Sequence, residues 1–168
     1  VNAAHYAILL PDFHGVGKAQ AMQRLVGGFH FLRDPGGVLL LARQGAAVRL
    51  AARRVEALEE AVAQIRAGGG QAEAVALDVT SPGSVAGVFV DGYAPDVILN
   101  NAGIAKGGAA LGVSEEDWQA VINTDLSGVF RVAQAGAQAM RAAGKEARWF
   151  SVPAGWPPDD SDLIRCRR

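Results

Sequence analysis

What most constrains this chain is a recurring order: a short apolar run, a turn of glycine or polar residues, then a stretch with apolar residues at helical spacing. Residues 6–10 form an apolar run closed by Pro11 and Asp12, which reads as a buried strand. Gly15 and Gly17 follow, and residues 18–25 offer a helix with Ala19, Met22 and Leu25 on one side. Residues 27–37 break the order with aromatics, Arg33-Asp34-Pro35 and paired glycines, and read as an insertion or irregular loop. Residues 38–43 read as the end of a helix stopped at Gly45. A second strand is expected at 47–51, and the clearest helix at 54–67, where Val55, Leu58, Val62 and Ile65 share one face. Gly68-Gly-Gly70 ends it. A third strand at 72–77, a short helix at 81–90 and a fourth strand at 96–99 lead into Asn100-Asn-Ala-Gly103.

Strand and helix alternating at this pitch predict an α/β domain with parallel strands and crossover helices, a doubly wound sheet. After a glycine-rich loop, Ser114 followed by Asp117 resembles a capped helix start. A long helix is predicted at 118–143, in which Gly128 and Gly136 either weaken the helix or admit close packing. Residues 148–152 suggest a fifth strand. The prolines at 153, 157 and 158 and the run Asp159-Asp-Ser-Asp162 end the pattern, so the expected organisation is one domain over 1–152 and an irregular tail at 153–168.

Composition narrows the partners. Sixteen basic against seventeen acidic residues leave a net charge of −1, which provides no general field for nucleic acid or an anionic membrane. Cys166 is the one cysteine and forms no CxxC pair, and His5, His14 and His30 do not make ligand spacing, so no metal site is expected. With no apolar run long enough for a membrane span, a cytoplasmic protein is expected. Trp118 is expected to pack at its helix start.

In a doubly wound sheet, ligands lie at the carboxyl ends of the strands. Gly15-Val-Gly17 before Lys18 would let backbone amides approach a phosphate at a helix start, or is simply a turn. Residues 27–37 compete for that place in the chain. Arg53 and Arg54 stand where the second strand passes to its helix. There they are either solvated surface cations or partners of an anion, and an arginine at this turn suits an adenosine 2′-phosphate. Asp78 could accept from an adenine amine or cap the helix near Ser81. Asn100 could line a ligand, Asn101 could tie loops together, and Gly103 permits close approach. Asn123 lies within a predicted helix, where its amide could bend the helix or hold a water.

Four segments in order, Ala51-Ala-Arg-Arg54, Leu77-Asp-Val-Thr80, Leu99-Asn-Asn-Ala-Gly-Ile104 and Asn123-Thr-Asp-Leu-Ser-Gly-Val-Phe130, resemble the short-chain dehydrogenase/reductase family over residues 45 to about 143. The resemblance implies a Rossmann-type doubly wound parallel sheet, incomplete at its C-terminal side, and NADP(H)-dependent carbonyl reduction or alcohol oxidation, with NAD as the second cofactor option. It implies that Arg53 selects the 2′-phosphate, that Asp78 and Val79 contact adenine, and that Asn100, Ala102 and Gly103 border the riboses. Asn123 and Ser151 would be catalytic, and Gly15 and Gly17 would match the last two glycines of the phosphate loop, whose earlier Thr-Gly is replaced by Leu10-Pro11.

The family's Tyr-xxx-Lys pair has no counterpart, since no tyrosine follows Tyr93 and no lysine follows Lys145. Weak or absent turnover is therefore expected of these 168 residues. The alternative is a non-catalytic nucleotide-binding or pairing module. The partners implied are a small carbonyl or alcohol substrate and a second copy associating through 118–143.

Overall fold

The computed structural model describes residues 7–10, 35–106, 110–146 and 149–151. Five strands, β1 (Ala7–Leu10), β2 (Val48–Ala52), β3 (Ala72–Ala76), β4 (Val97–Asn100) and β5 (Trp149–Ser151), form one sheet in the order β3-β2-β1-β4-β5. Between them lie α1 (Pro35–Arg43), α2 (Glu56–Ala67), α3 (Pro82–Val88), α4 (Glu115–Val121) and α5 (Val129–Ala142). A 3-10 turn covers Ala110–Gly112, and a π-helical segment, Ile122–Gly128, joins α4 directly to α5.

Side-chain alternation along the strands builds a core on each side of this sheet. Val48, Leu50, Val97 and Leu99 face one way, against Val38 and Leu41 of α1 and Leu58, Val62 and Ile65 of α2. Ala51 and Ile98 face the other way, with Val85 and Val88 of α3 and Val132 and Met140 of α5. Helices cover both faces, so the expected doubly wound α/β architecture holds. α1 ends on Gly45 at φ 83°, with Ala46 N–H donating to Leu41 O (3.2 Å) and Gly45 N–H to Ala42 O (2.9 Å). α2 ends the same way on Gly69, the left-handed residue that lets the chain reverse into β3.

The direction of β1 corrects the expected all-parallel sheet. β2 pairs with β3, and β4 with β5, in parallel, but β1 is antiparallel to both its neighbours, Ala7 standing opposite Ala51 and Asn100 and Leu10 opposite Val97. Four apolar residues carry no direction of their own, and antiparallel pairing is slightly the more stable per residue. A crossover helix imposes parallel direction, and that inference needs one helix joining the two strands.

Smaller corrections follow. α1 begins at Pro35, a residue suited to a first helical turn, so the end of the expected irregular stretch 27–37 is helical. The single helix expected at 118–143 is α4, the π segment and α5 in sequence. Trp118 is 54% exposed rather than packed. The helix expected at 18–25, Gly15, Gly17 and the tail lie outside the described residues. Among the described residues no helix is long and apolar enough to cross a membrane.

Gly128 and Gly136 admit close packing. A Cβ on Gly136 would collide with Ile98 Cδ1 and stand 3.3 Å from the Phe89 ring, and one on Gly128 would meet Val79 Cγ2 at 2.7 Å. Gly87, in α3, has open space around it. Gly136→Ala should therefore lower unfolding stability by about 1–3 kcal/mol. Gly87→Ala should raise it by about 0.5–1 kcal/mol, with urea denaturation comparing the two.

Candidate functional site

The carboxyl ends of β2, β3 and β4 open onto a shared cleft. Ala51, Ala52 and Arg53 line it from β2, Leu77 to Thr80 from the turn after β3, Ala102, Gly103 and Ile104 from the loop after β4, and Thr124 from the π segment. Four stretches far apart in sequence thus meet at one sheet edge because their strands end together.

Arg53 is exposed at the cleft, and no hydrogen bond or ion pair of its side chain is found among the described residues. Asp78 does not cap α3: Ser81 does, accepting from Ser84 N–H at 3.3 Å, with Pro82 behind it. The Asp78 Oδ1 instead accepts from Thr80 Oγ1 at 2.6 Å and Thr80 N–H at 2.9 Å, closing a tight turn that holds the carboxylate at the cleft wall. The Thr80 hydroxyl first, then the Thr80 amide and the charge of Arg53, hold this carboxyl below its ordinary value of 3.8, against partial burial. Val79 is buried under Gly128, and Gly103 is buried at the cleft.

Asn100 is 2% exposed and its Nδ2 donates to Val129 O at 3.3 Å, so its amide fastens β4 to the start of α5 and is not part of the cleft lining. Asn101 is buried beside it. Asn123 is half-buried in the π segment, and its carbonyl accepts from Arg131 Nη1 at 3.3 Å; the same nitrogen reaches Val79 O at 3.3 Å. The residue of this segment whose side chain reaches the Asn-Asn-Ala-Gly loop is Asp125, whose Oδ1 accepts the Ile104 N–H at 2.8 Å. Sequence reasoning passed over Asp125 and Thr124 because the amide two residues earlier drew the attention. The available signal was a carboxylate placed within a glycine-bearing helix. Ser151 ends β5 opposite Asn100, at the same edge of the sheet.

The last tyrosine and the last lysine lie elsewhere. The Tyr93 ring packs under the Arg49 guanidinium (3.4 Å), which also pairs with Glu73 and donates to Val88 O at 3.3 Å, at the leading ends of β2 and β3. Burial, above all, pushes the Tyr93 phenol up, and its hydroxyl is buried without a partner among the described residues. Lys145 Nζ holds Asp96 Oδ1 and Ala94 O, each at 2.8 Å, ahead of β4.

Residues 37–148 match the sequence model described as short chain dehydrogenase. The chain is 36% identical over 110 residues to a cyclopentanol dehydrogenase of a Comamonas species, spanning 63% of this chain and 44% of that one. In structure it is similar to a short-chain type dehydrogenase/reductase from Mycobacterium marinum (TM-score 0.64, 34% identity, 67% of this chain and 47% of the other). It is also similar to a metagenomic short-chain oxidoreductase in complex with NADP (TM-score 0.62, 31% identity, 70% and 55%). The chain spans less than half the length of the first curated relatives it matches.

Two predictions follow from the geometry. Asp78 has a depressed folded pKa, so its stabilisation is complete above the ordinary value of 3.8 and is lost as pH falls through the folded one. The Tm advantage of the wild type over Asp78→Asn should be present near pH 6 and shrink as pH falls below the ordinary value of 3.8 in thermal melts. Asp125→Asn keeps an acceptor for the Ile104 amide and should be nearly neutral, whereas Asp125→Leu strands that N–H and should cost about 1–3 kcal/mol in urea titrations.

Proposed function

This chain belongs to the short-chain dehydrogenase family, and we propose that it is the nucleotide-holding part of an NADP(H)-dependent oxidoreductase acting on small carbonyl or alcohol substrates. The observation that carries the reading is the meeting of Arg53, Asp78, Val79, Ala102 and Gly103 in one cleft at the carboxyl edge of the sheet. Similarity to an oxidoreductase solved with NADP supports it.

The residues present fit the adenosine end of such a cofactor. An exposed guanidinium at the β2–α2 turn offers a planar donor set for a 2′-phosphate. The Asp78 Oδ2 accepts nothing among the described residues and is available to an exocyclic amine, while the Val79 side chain offers an apolar wall. A dinucleotide held complete supplies a hydride. NADP(H) is the preferred cofactor, with NAD second, because no acidic side chain stands beside Arg53 at the turn to take a free 2′-hydroxyl.

Asn123 in the π segment and Ser151 at the end of β5 are the proposed remaining polar groups toward substrate. Tyr93 and Lys145 are both engaged at the other ends of the strands, and so do not supply the proton-exchanging pair. Little or no turnover is the corresponding expectation for these 168 residues.

A second reading rests on the exposed stripe Trp118, Leu126 and Phe130, which are 54%, 63% and 61% accessible. It favours a non-catalytic module that pairs through the α4–α5 helix, and an oligomeric state that does not change when the stripe is made polar would discount it.

Titration with NADPH tests the main reading. Arg53→Ala should raise the NADPH dissociation constant by about tenfold and leave weak NADH binding unchanged. No NADPH binding by the wild-type chain would remove it.

A further inference from the structure

We propose that Arg131 is a positioning residue: it braces the turn after β3 against the π segment, so that a ligand seated on that turn also fixes the segment and the loop after β4. This rests on the reading that adenosine lies against Asp78 and Val79.

Arg131 stands in the first turn of α5 and is half-buried. Its Nη1 donates to two main-chain carbonyls, Val79 O in the turn after β3 and Asn123 O in the π segment, each at 3.3 Å. Both bonds are longer than the usual ~2.9–3.0 Å, so the guanidinium sits between two walls and is committed to neither. A movement of either carbonyl therefore changes both bonds. The reach along the chain is also telling. Side chains that support their own helix meet partners three or four positions away, whereas Asn123 lies eight positions before Arg131. This contact spans the π segment and does not serve local helix stability.

Packing reinforces the brace. Gly128 lets the π segment lie on the Val79 side chain, where an added Cβ would stand 2.7 Å from Cγ2. One stretch of helix thus holds Val79 twice, at its side chain and at its carbonyl. From the π segment the linkage continues: Thr124 lines the cleft, and Asp125 Oδ1 accepts the Ile104 N–H at 2.8 Å. The turn carrying Asp78, the segment carrying Asn123 and the loop carrying Gly103 are joined in series, with Arg131 as the first link. Seating a ligand at one end of such a series restrains the rest and lowers the ordering cost of what binds there next.

Amide hydrogen exchange of the 168-residue chain, with and without saturating adenosine 2′,5′-bisphosphate, tests this, because that ligand carries the adenosine end alone. In the wild type the bisphosphate should slow exchange by about fivefold or more both at residues 78–81 and at 122–128. Arg131→Met should keep the slowing at 78–81 and lose it at 122–128. Arg131→Lys should behave like Arg131→Met although it keeps the charge, since its nitrogen lies one bond nearer the main chain and cannot span two contacts already at 3.3 Å. Slowing at 122–128 that survives either substitution would mean direct ligand contact or charge alone; it overturns the brace and leaves the cofactor reading standing. A wild type in which only 78–81 responds does the same. Failure of the bisphosphate to bind overturns both.

Discussion

The cleft depends on how closely α5 and the π segment lie against the sheet. Gly136 lets α5 rest on Ile98 and Phe89, and Gly128 lets the π segment rest on Val79. A side chain at either place would lift the helix by the width of a methyl group and draw Thr124 and Asp125 away from the loop after β4. Polar bonds then fix what packing allows: Asn100 to Val129 O, Asp125 to the Ile104 amide, and Arg131 across Val79 and Asn123. The floor of the site is thus a packed apolar contact sewn at its rim by hydrogen bonds to main chain.

The middle of the fold was legible because its signals reinforce one another. The α2 face of Leu58, Val62 and Ile65, the glycine stops at Gly45 and Gly69 and the apolar run of β4 all point to one arrangement, and the structure has it. The direction of β1 was not legible, since a run of four apolar residues fits a sheet either way up. Nor was the division of labour among neighbouring polar residues. Asn100 and Asp78 both looked ligand-facing, yet burial turned the Asn100 amide inward to satisfy a carbonyl, whereas the turn with Thr80 kept Asp78 at the surface of the cleft. Which of Asn123 and Asp125 reaches the neighbouring loop is set by the wider π register, a property of three dimensions that spacing in an α-helix misassigns.

The opposite end of the sheet shows what the two residues of greatest chemical interest do instead. Tyr93 gives its face to Arg49, and that contact, with Glu73, explains a charged pair in facing positions of β2 and β3. Lys145 joins Asp96 and closes the turn into β4. Both serve packing, and a phenol pushed further from neutrality by burial is ill suited to exchange protons.

The position of β1 has a consequence for the behaviour of the chain in bulk. Among the described strands, its four residues join the β2–β3 pair to the β4–β5 pair. The cores on both faces draw on β2 and β4 together, so withdrawal of β1 would leave the helices in place and two bare strand edges facing a slot one strand wide. Such a slot accepts an apolar segment of either polarity, including one from another molecule. Exchange of β1 between chains is therefore a route by which this fold would assemble into larger species on mild destabilisation.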